Sequence, residues 1–329
     1  MRYYLGADLG ATKTHVLVTN ENGAALGFGE SGPGNHGIVG YEGMYASMHA
    51  ALEQALNASR LIKADIVGAG LGVAGYDWLS EYEDTARTIE RLGLSAPYKF
   101  VNDTVPGLVA GSDEGWGVVV VSGTGSNCRG WDREHKREGR VTGYGVLMGE
   151  GAGGSELMHR CMQLVGHSWS KRGPKTKLAD ALIEYIGAQD LDDLIRGYTT
   201  YKYQVGAEAA PLVFRLAEEG DEVARDLIRW AGRELGEMAN AVIRQLAFEN
   251  LSFDVVMTGS MFEGGTMLIE PMRATIHALA PNARLVRLTV PPVLGAVMIG
   301  MEAGGLTVTP SMRRTMAGTV SATRHSAMR

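Results

Sequence analysis

The sequence contains only two cysteines, Cys128 and Cys161, among 329 residues. Two cysteines are too few for a disulfide framework, a structural zinc site or a self-contained iron–sulfur cluster, so we expect two buried thiols. Long hydrophobic runs are also missing, because no apolar stretch approaches the roughly 18 residues of a membrane span. We therefore expect no membrane partner.

An excess of positive charge is absent as well. The chain carries 31 Lys and Arg residues against 37 Asp and Glu residues, a formal net charge of −6. Proteins held by many phosphate contacts need a basic face, so nucleic acid is an unexpected partner. The first ten residues, MRYYLGADLG, lack the positive, apolar and small-residue regions of a secretory signal, and we expect a cytoplasmic location.

Glycine is abundant, with 45 residues or about twice the usual share of about 7%. It is concentrated in residues 68–75, 115–130, 143–154 and 259–265, which indicates tight turns and close backbone approaches. The length predicts two domains of ordinary size.

The first part of the chain predicts the order β-β-β-α-β-α-β-α. Period-two and buried apolar runs, with an Asn22-Gly23 hairpin signal, predict strands at residues 3–9, 14–20, 24–30, 66–73 and 98–101. Helical spacing predicts helices at residues 41–56, 81–92 and 105–110.

The second part restarts the same pattern at residue 117. The strand 117–121, the turn Ser122 to Ser126 and the returning strand 127–132 repeat the opening of the chain, which predicts a structural duplication. A third strand is expected at 140–143, helices at 155–165, 176–186, 206–218, 221–246, 266–279 and 292–303, and a strand at 253–258. We predict an N-terminal lobe at 1–115, a C-terminal lobe at 116–291, a helix at 292–305 that returns to the first lobe, and a flexible, arginine-containing tail at 306–329.

Two turns have the composition of phosphate-binding loops. Asp8 precedes Gly10, Ala11 and Thr12 between two strands, and the turn from Ser122 to Ser126 offers hydroxyls and backbone N–H groups. Each turn alone is better explained as a simple hairpin. Together, in duplicated lobes that face one cleft, they are suited to hold the phosphates of a nucleotide.

A carboxylate follows the strand at 98–101. Asn102 and Asp103 stand at its C-terminal end, the edge at which open α/β sheets bind ligands. Asp103 can accept a proton from a substrate hydroxyl, while Asp8 helps to hold a magnesium ion. The alternative interpretation makes Asp103 an N-cap of the following helix.

These motifs resemble those of the actin-like ATPase and sugar kinase superfamily. The segments DLGATKT (8–14), ND (102–103), SGTGSN (122–127) and TGS (258–260) are similar to its first phosphate loop, catalytic aspartate, second phosphate loop and adenosine loop. SGTGSNCRG, GYGVLMGEG and GNHG further resemble the N-acetylglucosamine kinase branch of the BadF/BadG/BcrA/BcrD ATPase family. The resemblance covers about residues 3–304 and implies an α/β fold of two duplicated ribonuclease H-like lobes with an interdomain cleft.

The resemblance implies ATP and Mg²⁺ as cofactors. Asp103 would be the catalytic base, and Asp8 and Asp103 would lie at the magnesium ion. The implied ATP-binding residues are Gly10, Thr12, Lys13, Thr14, Gly123, Thr124, Gly125, Gly259 and Ser260.

The implied substrate is an amino sugar phosphorylated at O6. The implied contacts are Asn35, His36, Gly75, Asp77, Asn102, Asp103, Ser126, Asn127, Gly143, Tyr144, Gly145 and Glu150. For His36 a structural hydrogen bond is the alternative. The residues do not distinguish glucosamine, N-acetylglucosamine, N-acetylmuramic acid and glucose. Dimerisation is common on this fold, and the sequence identifies no interface for a homodimer.

Four positions depart from the family pattern. Leu9 and Ala11 stand where glycines are common, and Glu150 stands where aspartate is more frequent. Gly37 replaces a bulky aromatic residue, which should widen the pocket near the sugar's 2-substituent.

Two other functions fit the same fold. A dehydratase-activating ATPase would need cysteine ligands for a shared iron–sulfur cluster, and neither Cys128 nor Cys161 has the context of such a ligand. A catalytically silent sugar or nucleotide sensor would not need the aspartate and both phosphate loops.

Overall fold

Two five-stranded sheets form the framework of the protein. The computed structural model describes residues 1–327. One compact unit contains residues 1–117, 131–136 and those from 286 onward, and the other contains residues 118–130 and 137–285. Within residues 1–327, no helix combines the length and apolar character that a membrane crossing requires.

The sheet of the first unit has three parallel strands. Its elements are β1 (Tyr3–Leu9), β2 (Thr14–Asn20), β3 (Ala25–Ser31), α1 (His36–Ser59), β4 (Ile66–Val73), α2 (Tyr82–Glu90), β5 (Tyr98–Asn102) and α3 (Thr104–Gly111). The strand order is β3-β2-β1-β4-β5, in which β2 is antiparallel to β1 and β3, whereas β1, β4 and β5 are parallel. The C-terminal ends of these parallel strands lie at one edge, where such sheets bind ligands.

Helix α1 covers this sheet with an apolar face. The four residues predicted to share that face are all buried, namely Met44, Met48, Leu52 and Leu56. Asn35 caps a first turn at residues 36–39, accepting a hydrogen bond from the Gly37 N–H at 2.8 Å. Gly40, with φ +68° and ψ 172°, interrupts the helix, so its main part begins at residue 41, as predicted.

The second unit repeats the sheet of the first. Its elements are β6 (Gly117–Ser122), β7 (Ser126–Trp131), β8 (Glu138–Arg140), α4 (Gly154–Trp169), α5 (Lys177–Ile186), α6 (Leu191–Thr199), α7 (Ala210–Glu218), α8 (Glu222–Leu246), β9 (Phe253–Thr258), α9 (Thr266–Leu279) and β10 (Ala283–Arg287). The order β10-β9-β6-β7-β8 is that of the first sheet read from its other edge, with β6 in the place of β1. The α/β class and the duplication predicted from the sequence are confirmed. Helix α6 and strand β10 were not predicted.

Helix α10 (Val293–Ala303) packs closely on β1 and β4 of the first unit. A Cβ atom at Gly6 would lie 2.6 Å from Cγ2 of Val297, and one at Gly70 would lie 2.5 Å from the backbone nitrogen of Gly300. Part of the glycine excess therefore serves to bring a helix backbone against a sheet.

The chain division differs from the predicted boundary at residue 115. Residues 131–136 belong to the first unit, and within this segment the Trp131 ring stacks on His135 with centroids 4.1 Å apart. The two ring nitrogens of His135 lie 3.1 Å from the Gly115 carbonyl oxygen and 3.1 Å from Oε2 of Glu302. A histidine-centred cluster thus attaches this short hairpin to the first unit.

Residues 310–327, which were expected to belong to a flexible tail, form the helix α11 (Pro310–Ala327). Met316 and Val320 are buried, the Ala25 N–H donates to Oγ1 of Thr319 at 3.0 Å, and Nη1 of Arg313 donates to the Val109 carbonyl at 2.7 Å. The mostly polar composition of this segment did not indicate that Met316 and Val320, four positions apart, are buried. Residues 328–329 lie outside the described part of the chain.

Gly318 provides a test of α11. It lies inside this helix with nothing within 4 Å of a Cβ atom, so Gly318→Ala should raise the free energy of unfolding by about 0.5–1 kcal/mol. Gly305→Ala is the control, because the φ of +75° at Gly305 makes alanine cost about 1 kcal/mol there. Urea unfolding monitored by circular dichroism measures both changes. Equal stability of Gly318→Ala and wild type would contradict a docked α11.

Candidate functional site

The first loop, residues 10–13, closes the β1–β2 hairpin. The Gly10 N–H donates to the Lys13 carbonyl at 2.8 Å, and the Gly34 N–H donates to the Gly10 carbonyl at 3.0 Å. Ala11 and Thr12 are exposed at the tip of the turn. The structure therefore leaves Thr12 accessible to an anion.

Two other residues of this segment have different surroundings. Thr14 is fully buried, and its hydroxyl has no hydrogen-bond partner within residues 1–327. Lys13 pairs through Nζ with Oε1 of Glu30 at 2.6 Å. Oε2 of Glu30 lies 3.0 Å from Nε2 of His15 and 3.6 Å from Nη2 of Arg324. The hydrogen bond from Lys13 is the main reason that the pKa of Glu30 is lowered.

Asp8 and Asp103 form a carboxylate pair beside the first loop. Asp8 is opposite Gly72 in the β1–β4 pairing, and a Cβ atom at Gly72 would lie 3.3 Å from Cα of Asp103. Burial, together with the negative charge of Asp103, raises the pKa of Asp8 to about 7. Two close carboxylates are hard oxygen donors of the kind that Mg²⁺ prefers, and a cation offsets their repulsion. These residues fit a magnesium ion.

The side-chain capping hydrogen bonds at the start of α3 are made by Asn102 and not by Asp103. Asp103 occupies the N-cap position of α3 but makes no side-chain capping hydrogen bond. Instead, Oδ1 of Asn102 accepts from the Thr104 N–H at 3.0 Å and from the Thr104 hydroxyl at 2.8 Å. The capping role therefore belongs to Asn102.

Asn102 also holds the loop that carries Asp77. Its Nδ2 donates to the Tyr76 carbonyl at 3.2 Å and to Oδ1 of Asp77 at 3.1 Å. With 2% of its surface exposed and both ends of its amide engaged, Asn102 positions Asp77 and Thr104. The predicted direct contact between Asn102 and the sugar is not supported by this geometry.

Asn35, His36 and Gly75, three of the predicted sugar contacts, lie close together. Gly75 has φ +83°, and a Cβ atom there would collide with Oδ1 of Asn35 and lie 3.4 Å from Nε2 of His36. The His36 ring stacks on Tyr41 with centroids 4.6 Å apart. Its Nε2 is buried without a hydrogen-bond partner in the described residues. The structure gives Nε2 no structural hydrogen bond, which favours contact with a ligand.

The second loop, residues 123–125, rests on the start of α4. The Gly154 N–H donates to the Gly123 carbonyl, and the Ser155 N–H donates to the Thr124 carbonyl, each at 2.8 Å. Thr124 is exposed. The loop is thus held by backbone bonds that leave its hydroxyl available.

Gly259 brings the predicted adenosine loop against the second loop. It has φ +109°, and a Cβ atom there would collide with the Ser122 carbonyl and lie 2.9 Å from the Gly123 nitrogen. Only glycine meets both conditions. Within the second unit, Gly123 and Ser260 therefore line the same cavity.

This cavity, which we call the nucleotide pocket, has a volume of about 810 Å³. Besides Thr124 and Ser260, its lining includes Ser155, Glu208, Pro211 and Phe214. The Phe214 ring lies directly against Gly264, where a Cβ atom would overlap it. The sequence did not indicate the α7 residues, because that helix has an ordinary amphipathic pattern without a motif.

The predicted sugar contacts of the second unit also cluster. A Cβ atom at Gly143 would lie 3.2 Å from Cγ of Asn127. The Ser126 hydroxyl is buried without a partner in the described residues, and Tyr144 is exposed. Oε1 of Glu150 accepts from the Thr142 N–H at 2.7 Å and the Thr142 hydroxyl at 2.8 Å, which orients its carboxylate.

Glu156 lies beside these groups and was missed by the sequence reasoning. A Cβ atom at Gly145 would lie 2.7 Å from its Oε1, and its Oε2 accepts from the Gly153 N–H at 2.8 Å. Burial, with a smaller contribution from the charge of Glu150, raises the pKa of Glu156. Glu156 stands at the N3 position of α4 and supplies half of a capping box, because Gly153 has no side chain to complete it.

The two thiols are buried as expected. Burial raises the pKa of Cys128, and it raises that of Cys161 to about 12. Because thiolates rather than thiols ligate metals, these side chains do not support the iron–sulfur alternative. No group of three or more metal-ligating side chains is found within residues 1–327.

Comparison with known proteins shows similarity along almost the whole chain. It is 28% identical over 312 residues to an N-acetyl-D-glucosamine kinase of Dictyostelium discoideum, covering 91% of this chain and 98% of that protein. It is 25% identical over 305 residues to an N-acetylmuramic acid/N-acetylglucosamine kinase of Clostridium acetobutylicum, with the same two shares covered.

A solved structure shares the fold. The ROK family glucokinase of Streptomyces griseus in complex with glucose and AMPPNP superposes with a TM-score of 0.54 at 19% identity, covering 91% of this chain and 98% of that one. Residues 5–300 match the model of the BadF/BadG/BcrA/BcrD ATPase family. With the phosphate-loop hairpins and duplicated sheets in place, the chain belongs to the BadF/BadG/BcrA/BcrD ATPase family.

Proposed function

We propose that this protein is an ATP-dependent sugar kinase that transfers the γ-phosphoryl group to an amino sugar, N-acetylglucosamine or glucosamine, at O6. The observation that carries the proposal is the carboxylate pair of Asp8 and Asp103 beside the first loop. Phosphoryl transfer needs an oriented acceptor hydroxyl and neutralised phosphate charge. Asp103 would orient the hydroxyl, and a magnesium ion held at the carboxylates would neutralise the phosphate charge. The names of the curated relatives support the sugar class.

Asp103 acts as the base in this proposal. It accepts the proton of the acceptor hydroxyl as the oxygen attacks the γ-phosphorus and the bond to the leaving ADP oxygen breaks. Asn102 fixes the start of α3 through Thr104 and so limits where the Asp103 carboxylate can stand. Asn35, His36, Gly75 and Asp77 supply polar contacts to the ring.

Asp8 would hold the magnesium ion together with Asp103, and the ion would supply positive charge to the phosphates. Thr12 and Thr124 would contact the phosphates, while Gly259, Ser260 and the nucleotide pocket would receive the adenosine. Ser126, Asn127 and Glu150, with the turn at residues 143–145, would bind sugar hydroxyls.

Asp103→Asn should lower the rate of sugar-dependent ADP release by about 10²–10⁴-fold, the usual contribution of a positioned base. ADP binding, measured by calorimetry, should change less than threefold. Asp84→Asn, which removes an exposed carboxylate of the same unit, is the control and should retain activity. A kinase rate in Asp103→Asn within tenfold of wild type would overturn this role.

Asp8→Asn should raise the Mg²⁺ concentration for half-maximal activity by about tenfold or more, because one of two oxygen ligands is weakened. The measurement is ADP release at fixed ATP and sugar over a Mg²⁺ series. An unchanged Mg²⁺ dependence with reduced maximal rate would assign Asp8 a different role.

Phe214→Ala should raise the KM for ATP by about tenfold, since an aromatic contact with a base is worth about 1–3 kcal/mol. The KM for the sugar should stay within twofold. Phe248→Ala, a buried aromatic residue outside the nucleotide pocket, controls for general loss of packing. Parallel increases in both KM values would argue against a base contact.

A further inference from the structure

A second cavity of the second unit lies beside Glu150. It has a volume of about 280 Å³, and the side chains that matter in it are Glu150, Glu156, His159, Arg160, Gln163 and Trp230. The phosphoryl transfer proposed above uses only Glu150 from this set. The other five side chains have no role in that transfer and are available to a group that extends from the bound sugar.

The Glu150 end of the cavity needs hydrogen-bond donors. Oε1 of Glu150 is engaged by Thr142, whereas its Oε2 is buried and has no partner anywhere in residues 1–327. A buried acceptor without a donor is costly. A ring hydroxyl or an amide N–H of a bound sugar satisfies it.

The opposite end of the cavity contains the positively charged guanidinium of Arg160. Nη1 of Arg160 donates to Oε1 of Gln163 at 2.8 Å, and Nε2 of Gln163 lies 3.1 Å from Nε2 of His159. The guanidinium lies over the Trp230 ring, 5.9 Å from its centroid. These contacts orient the Arg160 side chain without neutralising it.

Arg160 differs in this respect from other arginines on nearby helices. Arg225, Arg229 and Arg273 each pair with an acidic residue three positions away, at 2.7, 2.7 and 3.3 Å. Within the described chain, no carboxylate lies in ion-pair distance of Arg160. An exposed arginine with neutral partners on a cavity wall is a suitable site for an anion, because its planar fork matches a carboxylate.

Trp230 fixes the spacing of the two ends. A Cβ atom at Gly151 would lie 2.8 Å from Cη2 of its ring, so the indole lies against the backbone next to Glu150. Glu156 also lines the cavity, and its Oε2 accepts from the Gly153 N–H at 2.8 Å. The Trp230 ring thus forms a wall of the cavity between Glu150 and the Arg160 guanidinium.

We propose that this cavity is a subsite for a carboxylate on the sugar's substituent, with Arg160 as the residue that selects it. The proposal rests on the sugar kinase function above and narrows its substrate class to amino sugars that bear an acidic side chain. Glu150 would bind the ring, Trp230 would contact the linking atoms, and Arg160 would bind the carboxylate.

The test compares three sugars in a coupled ADP-release assay. The probes are N-acetylglucosamine, N-acetylmuramic acid, which carries a carboxylate on an ether at O3, and the neutral methyl ester of N-acetylmuramic acid. In Arg160→Gln, the kcat/KM ratio of the acid to N-acetylglucosamine should fall about tenfold, which corresponds to about 1.4 kcal/mol. The ratio of the ester to N-acetylglucosamine should not change.

Two further variants separate charge from folding. Arg160→Lys keeps the charge and should retain most of the wild-type preference for the acid. Arg244→Gln removes an exposed arginine from the far part of α8, which has only a 3.9 Å ion pair with Glu237, and should leave the ratio unchanged.

The outcomes distinguish the two proposals. If wild type phosphorylates none of the sugars, the sugar kinase function fails. If it phosphorylates N-acetylglucosamine but not the acid, or if the ratio is the same in wild type and Arg160→Gln, the subsite proposal alone fails. A parallel loss for the acid and the ester would also overturn it, because charge would then play no part.

Discussion

The parallel pairing of β1, β4 and β5 is the constraint on which the first unit's functional groups depend. Parallel strands end at the same edge of a sheet, so residues far apart in the chain become neighbours there. Gly72 lies opposite Asp8 and close to the backbone of Asp103. A Cβ atom at residue 72 would lie 2.5 Å from Cγ of Pro106 and 3.3 Å from Cα of Asp103, so glycine at this position allows α3 to begin close against β4.

The same sheet topology carries different chemistry in the two units. In the first unit, the hairpin loop follows a strand that ends with a carboxylate, and a second carboxylate follows β5. In the second unit, the equivalent loop rests on the start of α4 and opens into a pocket of nucleotide size. Duplication supplied the framework, while the residues at the strand ends determine which part of an ATP and sugar complex each unit suits.

Much of the framework could be predicted from the sequence because it depends on local signals. Buried β-branched runs and glycine turns are visible in short stretches of sequence, the apolar residues of α1 recur every four positions, and the structure contains those elements. Roles that depend on contacts at long range were less accessible. Asn102 looked like a sugar contact, but its amide is engaged by Tyr76, Asp77 and Thr104. The α7 residues of the nucleotide pocket carry no motif, and α11 contains too few apolar residues for its docking to be visible.

The Glu30 carboxylate connects the first loop with a helix that lies beyond residue 300, where the family match ends. One of its oxygens binds Lys13 and the other lies near His15 and Arg324. A substitution that removes Arg324 would therefore take positive charge away from Glu30. The Glu30 carboxylate would then hold Lys13 more tightly. Among relatives, we expect the presence of a basic residue at this end to vary together with the presence of lysine in the first loop.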